Sequence, residues 1–98
     1  MFALLPITIA SYQLHPILTM TKTKKTAAEL ESMILTELNA VSKCENVSMI
    51  TIRRIDINAR TGTNWTIGHV SYSTSLETDC ERPLKRIVER LQQRFDLG

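Results

Sequence analysis

Cys44 and Cys80 are the two cysteines of this chain, and a pair of thiols can bridge, hold a metal or supply a nucleophile. Metal binding calls for close ligand spacing such as C-x-x-C, and neither cysteine has a second cysteine or a histidine at such spacing. His69 does not complete a site either. The strand pairing inferred below sets it about six rungs, roughly 20 Å, from both cysteines, whereas zinc ligands lie ~2 Å from the ion. His15 stands in a segment of different character, so no metal and no cofactor are expected. The same pairing puts the two cysteines at the open end of one ribbon. A bridge there would add roughly 2 to 4 kcal/mol to a small core, either as a structural link or as the switch of a thiol-redox responder. Two buried thiols in a reducing compartment are the expectation and the disulfide is the alternative.

A second constellation is Arg53 with His69, joined by Trp65 on one face of the ribbon, while Arg54 and Asp56 take the other. These residue types suit an anion or a stacked base, but a polar strip on a sheet surface accounts for them with less. Arg86, Arg90 and Arg94 recur every four residues beside Lys85 and Glu89, a basic stripe matched by Glu29, Glu31 and Glu37 further upstream. With Lys22, Lys24 and Lys25 the arginines form the case for a nucleic-acid-associated regulator. The overall charge weakens that case. Of twelve basic residues three precede Thr26, so from there on ten acids outnumber nine bases, and the folded part has no net attraction for phosphate. No nucleophile stands with an orienting base and no acid is paired with a base at recognisable positions, so the chain reads as non-enzymatic.

The elements that must position these groups are legible from periodicity. Thr26-Ala27-Ala28-Glu29 has capping-box spacing, and Ala27, Leu30, Ile34, Leu38 and Val41 follow at helical steps, which predicts a helix over about 27–42. Asn46 is the expected left-handed residue beyond it. Leu84, Ile87, Val88, Leu91 and Phe95 mark a second helix over about 82–96, with Pro83 in its first turn. Between them lie two strand-like runs, about 47–58 and 64–73. Pairing Ile57 with Trp65, Ile55 with Ile67, Ile52 with Val70 and Ile50 with Tyr72 matches all eight large residues in one register. Ala59 then faces Thr63, and the three-residue loop Arg60-Thr61-Gly62 ends on the glycine that its positive φ requires. Both runs change hydrophobic phase where Arg53 meets His69, so the ribbon is expected to be apolar on both faces. Opposed bulges are the alternative.

A hydrophobic share of 43% and a charged share of 22% over 98 residues fit one small globular domain. The expected class is α+β, a two-layer αββα arrangement over 26–98, preceded by a poorly ordered extension over 1–25. Residues 1–19 are apolar and carry no Asp, Glu, Lys or Arg, but Pro6 and Pro16 interrupt them. They lack the basic start of a secretory signal and are short for a membrane span. A cytoplasmic protein with no membrane contact is expected.

Thr26-Ala27-Ala28-Glu29-Leu30-Glu31, Cys44-Glu45-Asn46-Val47, Asn64-Trp65, and Cys80 ahead of Ile87-Val88-Glu89-Arg90-Leu91-Gln92, closing on Phe95-Asp96-Leu97, resemble a family of short uncharacterised bacterial proteins with no assigned activity. The resemblance covers about Met20 to Gly98 and implies that residues 1–19 lie outside the shared domain. It brings no functional residues with it. A two-stranded hairpin needs cover on its apolar surface, and two helices cover only one face. The other face then exposes either Ile55, Ile57, Trp65 and Ile67 near the turn or Ile50, Ile52, Val70 and Tyr72 near the open end, and the first set is the expected interface of a homodimer or docking module, with itself or another protein as partner.

Overall fold

The structure, a computed structural model, describes residues 22–98; the expectations for residues 1–21 lie outside the described residues. The element order is β1 (Thr23–Lys25), α1 (Ala27–Asn39), β2 (Met49–Arg54), β3 (Trp65–Ser71), α2 (Glu77–Arg94) and β4 (Phe95–Leu97). The fold is α+β, with an antiparallel β2–β3 hairpin and two helices as the αββα pattern requires. A short parallel pair, β1 with β4, is added to it. β1 lies within the span expected to precede the domain. Thr23, Lys24 and Lys25 pair with Phe95, Asp96 and Leu97, and Gly98 N–H donates to Lys25 O at 3.0 Å. Three-residue strands carry too little periodicity to be read from sequence.

α1 begins on the capping box its sequence announces. Thr26 Oγ1 accepts from Glu29 N–H at 3.1 Å, and Glu29 Oε1 accepts from Thr26 N–H at 2.8 Å. Leu30, Ile34 and Leu38 are fully buried along one face. The helix stops three residues before the expected 42, and the residue that goes left-handed is Lys43, at φ 77°, instead of Asn46. Asn39 shapes this corner by donating to Cys44 O and Val47 O, each at 3.0 Å. α2 is longer than expected and starts at Glu77. Pro83 accordingly sits in its second turn, where the missing N–H leaves the Asp79 carbonyl without its helical donor.

The hairpin register is the main correction. Met49, Ile50 and Thr51 face Ser71, Val70 and His69, whereas Ile52, Arg53 and Arg54 face Ile67, Thr66 and Trp65. Gly68 is the extra residue, a bulge on β3 alone. It reverses the phase of β3, so Trp65 and Ile67 join Val70 and Tyr72 on the surface that Ile50 and Ile52 present to the core. Glycine suits the position because a Cβ there would lie 3.3 Å from Thr51 Oγ1 and 3.4 Å from Arg53 Cβ.

A second irregularity lies beyond Ile55, whose N–H donates to Asn64 O; the next rung is Asn58 N–H to Thr63 O. Asp56 and Ile57 therefore leave the ladder with nothing opposite them. Asn58, not Ala59, faces Thr63, and Gly62 still takes the positive φ expected of it, at 73°. The ribbon accordingly has one apolar face, covered by both helices, and one polar face.

Candidate functional site

The strongest covalent feature is a disulfide between Cys44 and Cys80, with Cα atoms 5.8 Å apart. The expectation of two free thiols is corrected. The αL residue Lys43 turns the chain after α1 toward the first turn of α2, and both half-cystines are fully buried. Cys44 Sγ lies 3.8 Å from the Asp79 carbonyl, the one Pro83 leaves free, and Cys80 Sγ lies 3.7 Å from Lys43 O. Reduction would therefore leave each thiol an acceptor already in place. Burial keeps solution thiolates away from both sulfurs, and attack on a sulfur is the route by which such bonds exchange.

A polar clamp holds the C-terminal strand. Asn64 spans the Leu97 peptide groups, donating from Nδ2 to Leu97 O and accepting from Leu97 N–H, both at 2.9 Å. The Trp65 indole N–H donates to Phe95 O at 3.0 Å. Lys22 Nζ donates to Gln92 O at 2.8 Å and to Gly62 O at 3.3 Å, and lies 3.7 Å from a buried Asp96 oxygen. Asn64-Trp65 was legible only as part of a resemblance; side-chain bonds to a strand thirty residues away leave no local signal.

The other expected sites are dispersed. Trp65 is fully enclosed by its own chain and Ile67 is half-buried against the core, so neither belongs to an open apolar face. Ile57 is 73% exposed, but it stands alone on an out-of-register loop. Arg53 faces Thr66, while His69 faces Thr51 and has Ser71 Oγ 3.4 Å from its Nε2. Both are exposed on the polar face, and Trp65 lies on the opposite one. Among the basic residues, Lys25 and Arg94 lie over the Phe95 ring at 5.3 and 5.7 Å, and Arg90 pairs with Glu37. Of the six basic residues that made the nucleic-acid case, Lys24 and Arg86 are the exposed ones outside these contacts. Tyr72 has its hydroxyl pushed up by partial burial and by the charges of Glu77 and Glu81. Among the described residues no group of three or more His, Cys, Asp or Glu is placed to hold a metal, and no helix is long and apolar enough to cross a membrane.

What remains as a candidate site is a trough between α2 and β3. Its upper part, about 280 Å³, has Ile67, Leu84 and Val88 as a floor and Glu81, Lys85 and Glu89 along the helix rim. Its lower part, about 560 Å³, lies against Arg60, Thr61 and Gln93, and the two parts share Glu89 and Gln92.

The strand beside the trough is a hairpin edge. The outer edge of β2 is capped at one point, where Glu31 Oε2 accepts from Ile52 N–H at 2.9 Å. On β3, Gln92 Nε2 donates to Trp65 O at 2.8 Å. Antiparallel ladders alternate inward and outward peptide groups. Because Ile52 and Trp65 point outward, the N–H and C=O of Ile67, opposite Ile52, point to the trough side as well.

Comparison with known proteins adds no assignment: no family profile, curated protein or solved structure matches this chain.

Proposed function

We propose that this is a small, non-enzymatic protein-association domain that takes up an extended segment along β3 beside α2. The observation that carries this reading is the pairing of an outward-facing strand edge at Ile67 with an apolar floor of Ile67, Leu84 and Val88. Strand addition draws affinity from main-chain hydrogen bonds and selectivity from pockets for alternate side chains, and both parts are present. The reading keeps protein association as the role but moves the contact from the hairpin face, whose apolar residues turn inward, to the groove at its edge. Homodimerisation through Ile55, Ile57, Trp65 and Ile67 loses support because Trp65 is already enclosed. The nucleic-acid reading loses support because Lys22, Lys25, Arg90 and Arg94 are engaged within the chain. A fully buried bridge favours a structural link over a redox responder. It also favours an oxidising compartment over the cytoplasm, where glutathione keeps thiols unpaired.

The test is selection of a phage-displayed library of peptides about ten residues long on the full chain. Enriched sequences with alternating apolar residues, whose synthetic peptides shift the amide signals of Ile67 and of Leu84 to Gln92, are expected. Binders that map to another surface, or no binders at all, refute the reading.

A further inference from the structure

Resting on that reading, we propose that the segment taken up by the trough is an antiparallel stretch of another protein with the pattern basic-x-apolar-x-apolar-x-acidic. Its two apolar side chains lie on Leu84 and Val88, its basic residue meets Glu77 and Glu81, and its acidic residue meets Arg60.

The edge of β3 sets the apolar spacing. Ile50 and Ile52 are two residues apart on β2, so their peptide groups point the same way, and that of Ile52 points outward to Glu31. Their partners across the hairpin, Val70 and Ile67, therefore both turn their peptide groups to the trough side. The bulge at Gly68 takes up the extra residue, so Val70 and Ile67 stand about as far apart as two alternate residues of a regular strand. An antiparallel segment can exchange two hydrogen bonds with each of them, using residues two positions apart. Residues directly opposite share a face, so those two side chains project toward the helix layer as Val70 and Ile67 do.

The helix layer selects a bare segment over a second copy. Packed helices lie about 8 to 10 Å apart and paired strands about 4.8 Å, so two helices over two strands overhang the hairpin. Gln92, reaching the outward carbonyl of Trp65, shows α2 doing so. A twofold-related copy pairing edge to edge would bring its own α2 into the same space, whereas a lone strand slides beneath the overhang.

Charge sets the ends. β3 runs from the lower end of the trough, where Trp65 O bonds Gln92, to the upper end, so an antiparallel segment enters at the top. Glu81 lines that part, and Glu77, four residues earlier, shares its helical face. Burial first, then the charges of Glu77 and Glu81, push up the Tyr72 hydroxyl just past β3, so both carboxylates stand at the upper end. Lys85, four residues from Glu81 and from Glu89, balances the middle of the rim. Arg60 supplies the cation at the lower end, beside Gln93. From Glu81 to Gln93 the helix advances about 18 Å, and the six steps from basic to acidic residue cover about 20 Å.

The experiment titrates the full chain with two capped peptides, Lys-Thr-Val-Ser-Val-Thr-Glu and its charge-exchanged form Glu-Thr-Val-Ser-Val-Thr-Lys, and follows the amide signals of Ile67 and Val70. The first is expected to bind about tenfold more tightly, and a nitroxide on its N-terminus should broaden Ser71 and Glu81 but not Arg60 and Thr61. The variant Arg60→Glu/Glu77→Lys/Glu81→Lys, changed at three exposed side chains, should reverse the preference. Equal affinity for the two peptides, broadening at Arg60, or an unreversed preference overturns the inference. So do Ile67 shifts that grow with protein concentration in the absence of peptide, since the occupant would then be a second copy. If library-selected peptides bind the trough and these two do not, the pattern is wrong and the association reading stands. If neither kind binds, both fail together.

Discussion

Breaking the Cys44–Cys80 bridge should remove a large share of the domain's stability, and the size of the effect follows from where the bridge lies. It joins residues 36 apart in sequence. In the chain-entropy treatment a loop of that length restricts the unfolded chain by about 13 cal/mol/K, or about 3.8 kcal/mol at 25 °C. The folded side of the balance changes little on reduction. Both sulfurs are fully buried, and each thiol finds a carbonyl, Asp79 O or Lys43 O, within 3.8 Å. No buried donor is orphaned, so no further penalty adds to the entropic one. A domain of this size holds about 4 to 12 kcal/mol in total at typical stability per residue, so reduction costs a third of it or more. The assay is urea unfolding followed by the fluorescence of Trp65, the one tryptophan in the chain, with and without a phosphine reductant. The reduced protein is expected to unfold at a lower midpoint, with an extrapolated loss of about 3 to 4 kcal/mol and a steeper slope, because the unlinked chain exposes more surface. Equal midpoints would refute the argument, and two thiols titrating freely in native, unreduced protein would refute the bridge itself.

Two further outcomes follow from single groups. Asn64→Ala leaves both the N–H and the C=O of Leu97 without their side-chain partner, and should cost about 1 to 3 kcal/mol; a thermal melt that does not move would show that β4 is held by other contacts. Glu29 is held below the usual carboxylate range, first by the Thr26 N–H and then by the Thr26 hydroxyl, with Lys25 assisting. Its folded pKa lies below its unfolded one, so its stabilising effect is full above the unfolded value of about 4.3 and fades as pH falls through the folded value. Glu29→Gln should flatten that acid limb of the stability curve, and an unchanged limb would place the acid sensitivity elsewhere.

Helices, turn and fold class were legible because their causes are local. The capping box at Thr26 and Glu29, the stripe of Leu30, Ile34 and Leu38, and Gly62 at positive φ each depend on residues a few positions apart. The candidate site was not legible, because its parts come from Ile67 on a strand and from Leu84, Val88 and Gln92 on a distant helix. No residue in that set is unusual by itself. That Trp65 and Ile67 turn inward was hidden for a related reason: a hydrophobic run shows that side chains are to be buried but does not say by what.

The amino-acid sequence by itself determined that two amphipathic helices flank a hairpin, since periodicities of 3.6 and 2 are written residue by residue. The tertiary structure alone decided the register. Side chains on a strand alternate, so one unpaired residue inverts every position after it, and the extra glycine at Gly68 turned what read as a second apolar face into the same face. The structure likewise decided that Cys44 and Cys80 meet as a disulfide, because their closeness depends on where Lys43 bends the chain and where α2 begins.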